Sequence, residues 1–468
     1  MIRGSAILFA VCLLAACRAP KPADRVITPT VPDSWFSAHS PTNRPTGPWW
    51  AQFNNPTIDR LALEALTNNP DLKITANRLE QAQIRAQMHH FSSRPKLEIS
   101  MRGGKQKNSF IGMPFGGGGV MQSQSESYGL NLAANWELDV WGRISAGKLV
   151  VRMETVALEL DHQAARQSLV AQVIKSWVQL TEAAAQIALA GENVGILDLT
   201  FKQATLRHRL GTVSALDVRL AEANFTTAKA VLEEWRTRHA ALQKSLELLL
   251  GRYPSGLLVS VPVLPGTFPP VPADVPSGIL KRRPDIAATL ARIKAADARV
   301  AEGEAGLLPF ISLTGSTGTS SDELKDLVNS NFSIWSFGGN IAQTILLRDE
   351  QKTRVNERKS MVNEAILMHR RVVMNAFQEV ESALSNDRLL GEQHRHLGAA
   401  SDLSAKALDL AEDRYARGVE PFVTLLEAQR RYAEAKSRSL SVHRLRLENR
   451  VNLHLALGGS GIPREGSP

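Results

Sequence analysis

The side chains that could do chemistry are few and poorly grouped. His89-His90 and His394-Arg395-His396 concentrate imidazoles. A metal site needs three or four donors at set spacings, and these pairs lack both the spacing and cysteine partners. They are read as non-ligating. Gly116–Gly119 is a glycine run, but neither a Lys-Ser/Thr pair nor a helix start follows it as a phosphate cradle requires. It is read as an exposed loop. Trp177 and Tyr415 could line a pocket, although aromatics at helical spacing usually pack a core. No catalytic residue, cofactor site or metal site is therefore expected, and the chain is not read as an enzyme.

Cys17 is the exception, because its thiol is placed for covalent modification. Met1–Ala16 holds one basic residue, Arg3, and a short apolar run that ends Leu14-Ala15-Ala16-Cys17. The run is too short to span a bilayer, so residues 1–16 read as a signal peptide. Small residues before a cysteine resemble a bacterial lipobox, in which the thiol is acylated and the chain is cut so that Cys17 becomes the first residue. Arg18 rather than Asp follows, which points to the outer membrane of a bacterial cell. Cys12 falls in the removed segment, so no disulfide is expected.

Elements must position whatever else the chain does, and proline placement shows them. The 468 residues carry a net charge of +9, but basic residues alternate with acidic ones, as in Arg348-Asp349-Glu350 and Glu357-Arg358-Lys359. That pattern suits a solvated helix face and not a nucleic-acid partner. No proline lies between Pro114 and Pro254 or from Phe310 to Glu420, whereas Pro254 to Pro276 holds seven. Helix breakers are kept out of long stretches and concentrated in one linker between two similar halves. The chain reads as a tandem duplication: a lipid-anchored tail at 17–55, a first repeat at 56–253, a proline-rich linker at 254–277, a second repeat at 278–458 and a C-terminal tail at 459–468.

Each repeat shows the same order. Helices are expected from about Ile58 to His90 and from about Ile279 to Gly303. Alternating strand-like runs follow at Leu97–Met101 and Tyr128–Leu138, then at Phe310–Thr317 and about Asn331–Gln343, with polar or glycine-rich connections at 103–127 and 318–330. A long apolar seam with spacings of three and four then runs from about Arg143 to Arg209, about 100 Å if helical. It breaks at Gly211 and resumes to Leu250. In the second repeat it breaks at Gly418 and resumes to about Leu457. Each repeat thus ends in a long helical hairpin with glycine at its tip. Four strands cannot close a membrane barrel alone, and open edges are not tolerated in lipid. Two chains would supply eight strands and three would supply twelve.

The stretches PWWAQFNNPTIDRLALEALTNNPDL and RRPDIAATLARIKAADARVAEGEAGLLPFISLTGS, with the lipobox, strand pairs and tip glycines in this order, resemble the TolC-like outer membrane factors, closest to the NodT-type efflux lipoproteins. The resemblance implies a mostly α fold with a small β part, in which a homotrimer forms an α-barrel continuous with a twelve-stranded transmembrane β-barrel. It implies an outer membrane channel of a tripartite efflux system exporting drugs, dyes or metals, with a periplasmic adaptor protein, an inner-membrane pump and outer membrane lipid as partners. A duct for protein secretion shares the architecture. A lipid-anchored coiled-coil scaffold would explain the helices but not the strand pairs.

The resemblance also implies sites. The tips Arg209-Leu210-Gly211-Thr212 and Arg417-Gly418-Val419 would meet the adaptor. The family's periplasmic aperture has Tyr, then Gly three later, then a basic residue and two Asp. Here Tyr415 and Gly418 are kept, Glu420 stands where the basic residue would be, Thr424 at the first Asp and Glu427 at the second. The departures imply that the family's links between hairpins at that place are lost. They leave Glu427 either as one ring of carboxylates or as a solvated helix residue outside the pore. Asp217 corresponds to it in the first hairpin.

Overall fold

A computed structural model of the chain describes residues 34–37, 48–110, 121–266, 276–346 and 348–459. Cys17, the signal segment and the glycine run Gly116–Gly119 lie outside the described residues. The element order repeats. The first half runs α1 (Pro56–Asn68), α2 (Pro70–Phe91), β1 (Lys96–Phe110), β2 (Met121–Glu137), α3 (Arg143–Arg209) and α4 (Ala215–Leu249). The second runs α5 (Pro276–Arg282), α6 (Pro284–Ala305), β3 (Phe310–Ser321), β4 (Ser333–Ala342), α7 (Arg348–Ala416) and α8 (Phe422–Ala456). Matching elements have matching lengths: 22 residues in α2 and α6, and 35 in α4 and α8.

Two boundaries differ from the sequence expectation. The helices expected at 58–90 and 279–303 are each broken, at Pro70 and at Pro284. Proline lacks the N–H that would continue the helix, so each break starts a new one. At the first break the Asn69 side chain accepts from Leu72 N at 2.9 Å, capping α2. The strands also run further than the alternation suggested. β1 pairs with β2 in continuous register from Lys96↔Asn135 to Phe110↔Met121, so most of the expected connection at 103–127 is strand. The outer part of β1, Arg102–Asn108, is polar or glycine on both faces and carries no periodicity. Only pairing with β2 makes it a strand.

The chain folds as two compact units, which do not follow the repeats. One draws on Glu80–Ala157 and Thr289–Met368, the other on Thr28–Leu79, Leu158–Ala288 and His369–Pro468. In the first, the strands form one antiparallel sheet in the order β1-β2-β3-β4, so the two repeats join at β2–β3. The backbones come close there: a Cβ at Gly318 would lie 2.1 Å from the Leu130 carbonyl oxygen, so only glycine fits. Asp139 accepts from Ile144 N and Ser145 N, both at 2.8 Å, and starts α3.

In the second unit the main core gathers Trp49, Trp50 and Phe53 with Ile58, Leu61, Ile174, Leu180, Leu246, Leu250 and Leu447. Each fully buried aliphatic side chain contributes about 1.5–3 kcal/mol. Residues of α3 and α8 run antiparallel along a polar seam. Gln179 donates to Glu448 at 2.8 Å, Ser441 Oγ to Glu182 at 2.8 Å, and Gln429 to Thr200 Oγ1 at 2.9 Å. Arg444 lies 2.9 Å from the buried Glu182 and 2.8 Å from Glu448. A one-residue slip would strand these buried groups, so the seam sets the register of the pair.

Candidate functional site

The sheet register assigns every strand residue to a face. One face carries Leu97, Ile99 and Met101 of β1, Tyr128, Leu130, Leu132 and Trp136 of β2, Ile311 and Leu313 of β3, and Trp335, Phe337 and Ile341 of β4. Many of these are exposed: Ile99 is 75% accessible, Trp335 81% and Phe337 75%. The other face carries Glu98, Ser100 and Arg102, then Asn131 and Asn135, then Ser312, Thr314 and Ser316, then Ser336 and Asn340. Phe310 and Ile334 are large apolar exceptions on it, with the small Ala133 and Ala342. Beyond Tyr128 the first face turns polar, with Lys105, Lys107, Gln124 and Glu126, so the sheet has one oily and one wet face over the half nearer the helices, as a wall between lipid and water requires. Among the described residues no helix is long and apolar enough to cross a membrane.

The hairpin tips are built by glycine. Gly211 and Gly418 have φ of 73° and 77°, in the left-handed region that ends helices. Thr212 N bonds back to the Arg207 carbonyl at 2.9 Å and Val419 N to the Arg414 carbonyl at 3.0 Å. Leu210 and Val419 are left 70% and 65% exposed, and Arg209, Thr212 and Arg417 are exposed as well. Ser214 and Asp217 then form a capping box that starts α4, so Asp217 is engaged by the Ser214 hydroxyl and N–H.

The residues expected at the aperture divide. Tyr415 is 5% exposed and packs with Phe422, ring centroids 5.5 Å apart. Its hydroxyl meets no hydrogen-bond partner among the described residues. Glu420 is half-buried, 3.9 Å from Arg414, and Thr424 is exposed. Glu427 accepts from Arg431 at 2.6 Å and from Arg430 at 2.9 Å, and these guanidinium groups hold its carboxyl below the usual carboxylate range.

Sequence reading missed Arg207. The links that the resemblance implies are lost belong to the position of Glu420; Arg207, at a different position, reaches from the first hairpin to the second, its guanidinium 4.5 Å from the Tyr415 ring centre. It also donates to the carbonyls of Tyr415 and Ala416, both at 3.3 Å. Within the first hairpin, Phe201 of α3 stacks on Phe225 of α4 at 6.1 Å. Of the groups first singled out, Trp177 is buried in the main core. His89 and His90 are exposed at the end of α2. His394 packs against His443 at 5.0 Å, while His396 is exposed beside Glu392. Among the described residues no three His, Cys, Asp or Glu side chains gather as a metal site would need.

The family model for outer membrane efflux protein matches residues 61–252 and 275–459. The toluene efflux pump outer membrane protein TtgF of Pseudomonas putida is 28% identical over 412 residues, covering 88% of this chain and 85% of that protein. The pyoverdine export outer membrane protein OpmQ of Pseudomonas aeruginosa is 26% identical over 467 residues, covering 98% of this chain and 97% of that protein. The solved outer-membrane channel OprN aligns with a TM-score of 0.86 and 25% identity, covering 94% of this chain and 99% of its own. The whole fold of this chain thus matches that of a solved outer-membrane channel. The chain belongs to the outer membrane efflux protein family, as the outer-membrane channel component of an efflux system.

Proposed function

We propose that three copies of this chain close their sheets into one twelve-stranded barrel and pass small molecules through it to the cell exterior. The observation that carries this is the four-stranded sheet, which leaves β1 and β4 each with an unpaired edge. Every unpaired N–H and C=O in lipid costs several kcal/mol, so a lone sheet is unstable there and pairing between copies removes both edges. The apolar face then meets lipid and the polar face lines the pore. The boundaries proposed for the repeats, 56–253 and 278–458, give each repeat two strands and one hairpin, so six repeats complete the tube.

Cys17 carries the lipid anchor, and several acyl chains there would supplement the barrel's own hold on the membrane. The tips Arg209–Thr212 and Arg417–Val419 receive a periplasmic adaptor protein, which couples the channel to an inner-membrane pump. The exposed Leu210 and Val419 offer the apolar anchors for that contact. Glu427 and Thr424 face the aperture, with Glu420, Asp217 and Tyr415 shaping its rim. The cargo is of small-molecule size, as are the toluene and pyoverdine named for two relatives.

Mass measurement of the purified protein in detergent, paired with drug and dye accumulation in cells lacking their own outer membrane channel, tests this reading. A mass of three chains with restored efflux supports it. A stable monomer or dimer, or assembled protein that restores no efflux with its own adaptor and pump, overturns it.

A further inference from the structure

The two repeats carry opposite charge arrangements at the same station, where the sheet meets its helices. In the second repeat the cations are matched. Arg358 lies 3.2 Å from Glu302, Lys359 2.8 Å from Glu304 and Arg354 2.7 Å from Glu350. In the first repeat the residues at 81–97 and 143–153 include Arg85, Arg94, Lys96, Arg143, Lys148 and Arg152 and not one Asp or Glu. Of these, Arg143 is neutralised by Glu137, at 2.7 Å.

The structure brings these segments together at Ser93. Lys148 Nζ donates to Ser93 Oγ at 2.6 Å, and the Trp136 indole N–H donates to the Ser93 carbonyl at 3.0 Å. Arg94 lies over the Phe91 ring at 4.9 Å, and Arg152 follows Lys148 by one turn of α3. The corner is also oily: Met88, Phe91 and Leu97 are exposed, and Trp136 and Leu97 belong to the apolar sheet face. Cations with a tryptophan at the edge of an apolar wall are the chemistry of a headgroup layer, where phosphate meets the charges and acyl chains meet the rings.

We propose that this α2–β1 corner, with Arg94 and Lys148 about Ser93 and Arg152 beside them, binds the headgroup phosphate of an anionic phospholipid in the periplasmic leaflet of the outer membrane. The inference rests on the channel reading, which puts the helix-bearing end of the sheet at that leaflet. In the second repeat Glu302, Glu304 and Glu350 already occupy Arg358, Lys359 and Arg354. One chain therefore carries one site.

The test is native mass spectrometry of the full-length assembled protein in detergent, with phosphatidylglycerol and phosphatidylcholine supplied in equal amount. The wild type should retain phosphatidylglycerol roughly tenfold over phosphatidylcholine, since each cation near an anionic surface adds to the preference. The triple variant Arg94→Gln, Lys148→Gln, Arg152→Gln should lose that preference, and Lys352→Gln in the second repeat should keep it. The intact mass of the assembly, read in the same spectrum, separates failure of the lipid site from failure of the channel reading. If the triple variant does not assemble, the single variants Lys148→Gln and Lys148→Arg decide, the first weakening the preference and the second retaining it. Equal retention of both lipids by the wild type, an unchanged preference in the variants, or displacement of phosphatidylglycerol by inorganic phosphate alone would overturn the proposal.

Discussion

Arg207 of the first hairpin lies over the ring of Tyr415 of the second, 4.5 Å from its centre, and donates to the Tyr415 carbonyl at 3.3 Å. One side chain thereby clasps the two tips of a single chain by charge, ring face and hydrogen bond. Arg207→Ala should weaken the clasp by roughly 1–3 kcal/mol. In planar bilayers the variant should open more often than wild type, with Arg207→Lys between the two. Unchanged open probability would show that the clasp does not hold the tips closed.

Tyr415 offers a separate test of assembly. Its buried hydroxyl has no hydrogen-bond partner within the described chain, and such a group costs roughly 1–3 kcal/mol if it stays unpaired. Tyr415→Phe should therefore leave the assembly as heat-stable as wild type or make it more so if the hydroxyl stays alone. It should lower stability if a neighbouring copy supplies an acceptor. Melting of the assembled form, followed by loss of its native mass, distinguishes these.

Docking at the tips can be separated from turning. Both glycines have positive φ and nothing within 4 Å of an added Cβ, so Gly211→Ala or Gly418→Ala costs only the left-handed conformation, about 1–2 kcal/mol. Leu210→Asp and Val419→Asp leave the turns intact and place charge on the apolar anchors. Assembly should be normal in both Asp variants while crosslinking to the adaptor is lost. Retained crosslinking would remove the tips from the docking surface.

Glu427 is shared by Arg431 and Arg430, whose hydrogen bonds lower its pKa. If Glu427 lines the aperture as proposed, Glu427→Gln should reduce the channel's preference for cations, because two arginines would lose their counter-charge. Thr424→Asp should strengthen block by trivalent cations. Single-channel conductance in both variants equal to wild type would place these residues outside the aperture.

The extended segment 254–266 is strapped to its neighbours by groups that titrate. One face of α4 presents His239, Gln243 and Glu247. His239 bonds Ser260 Oγ at 2.8 Å, Gln243 donates to the Leu258 carbonyl at 2.8 Å, and Glu247 accepts from Gly256 N at 2.7 Å. From α8, His443 donates to the Pro265 carbonyl at 2.9 Å. Burial lowers both histidines, and His394 and Arg446 lower His443 further against the opposing pull of the carbonyl. The open form therefore takes up protons that the strapped form refuses. Stability is full above about pH 6.5, the ordinary histidine value, and falls as pH drops through it. Amide exchange in 254–266, corrected for its intrinsic rate, should be faster at about pH 5.5 than at about pH 7.5. Equal protection would show that the histidines do not hold the segment.

What the sequence made legible follows physical range. The tips could be read because left-handed turns demand glycine locally, and the repeat could be read because prolines mark where helices stop. The break at Pro70 was signalled by the same rule and was overridden by the apolar periodicity on either side. Strand length beyond Met101 could not be read, since Arg102–Asn108 shows no alternation and is strand only through its partner β2. Arg207 was illegible for a different reason. Its partner lies 208 residues away, and nothing in its own neighbourhood distinguishes it from other basic residues at the end of α3. The basic corner at Ser93 required both a contact between distant segments and a comparison of the two repeats.

Duplication inside one chain also fixes stoichiometry. In a ring of three chains, features common to both repeats, such as the glycine turns at Gly211 and Gly418, recur six times, whereas those confined to one repeat recur three times. The Arg207–Tyr415 clasp and the basic corner at Ser93 belong to the second class. The scaffold is close to sixfold while its chemistry is threefold. A partner that grips the turns alone could bind in six copies, and one that also reads the clasp would be held to three.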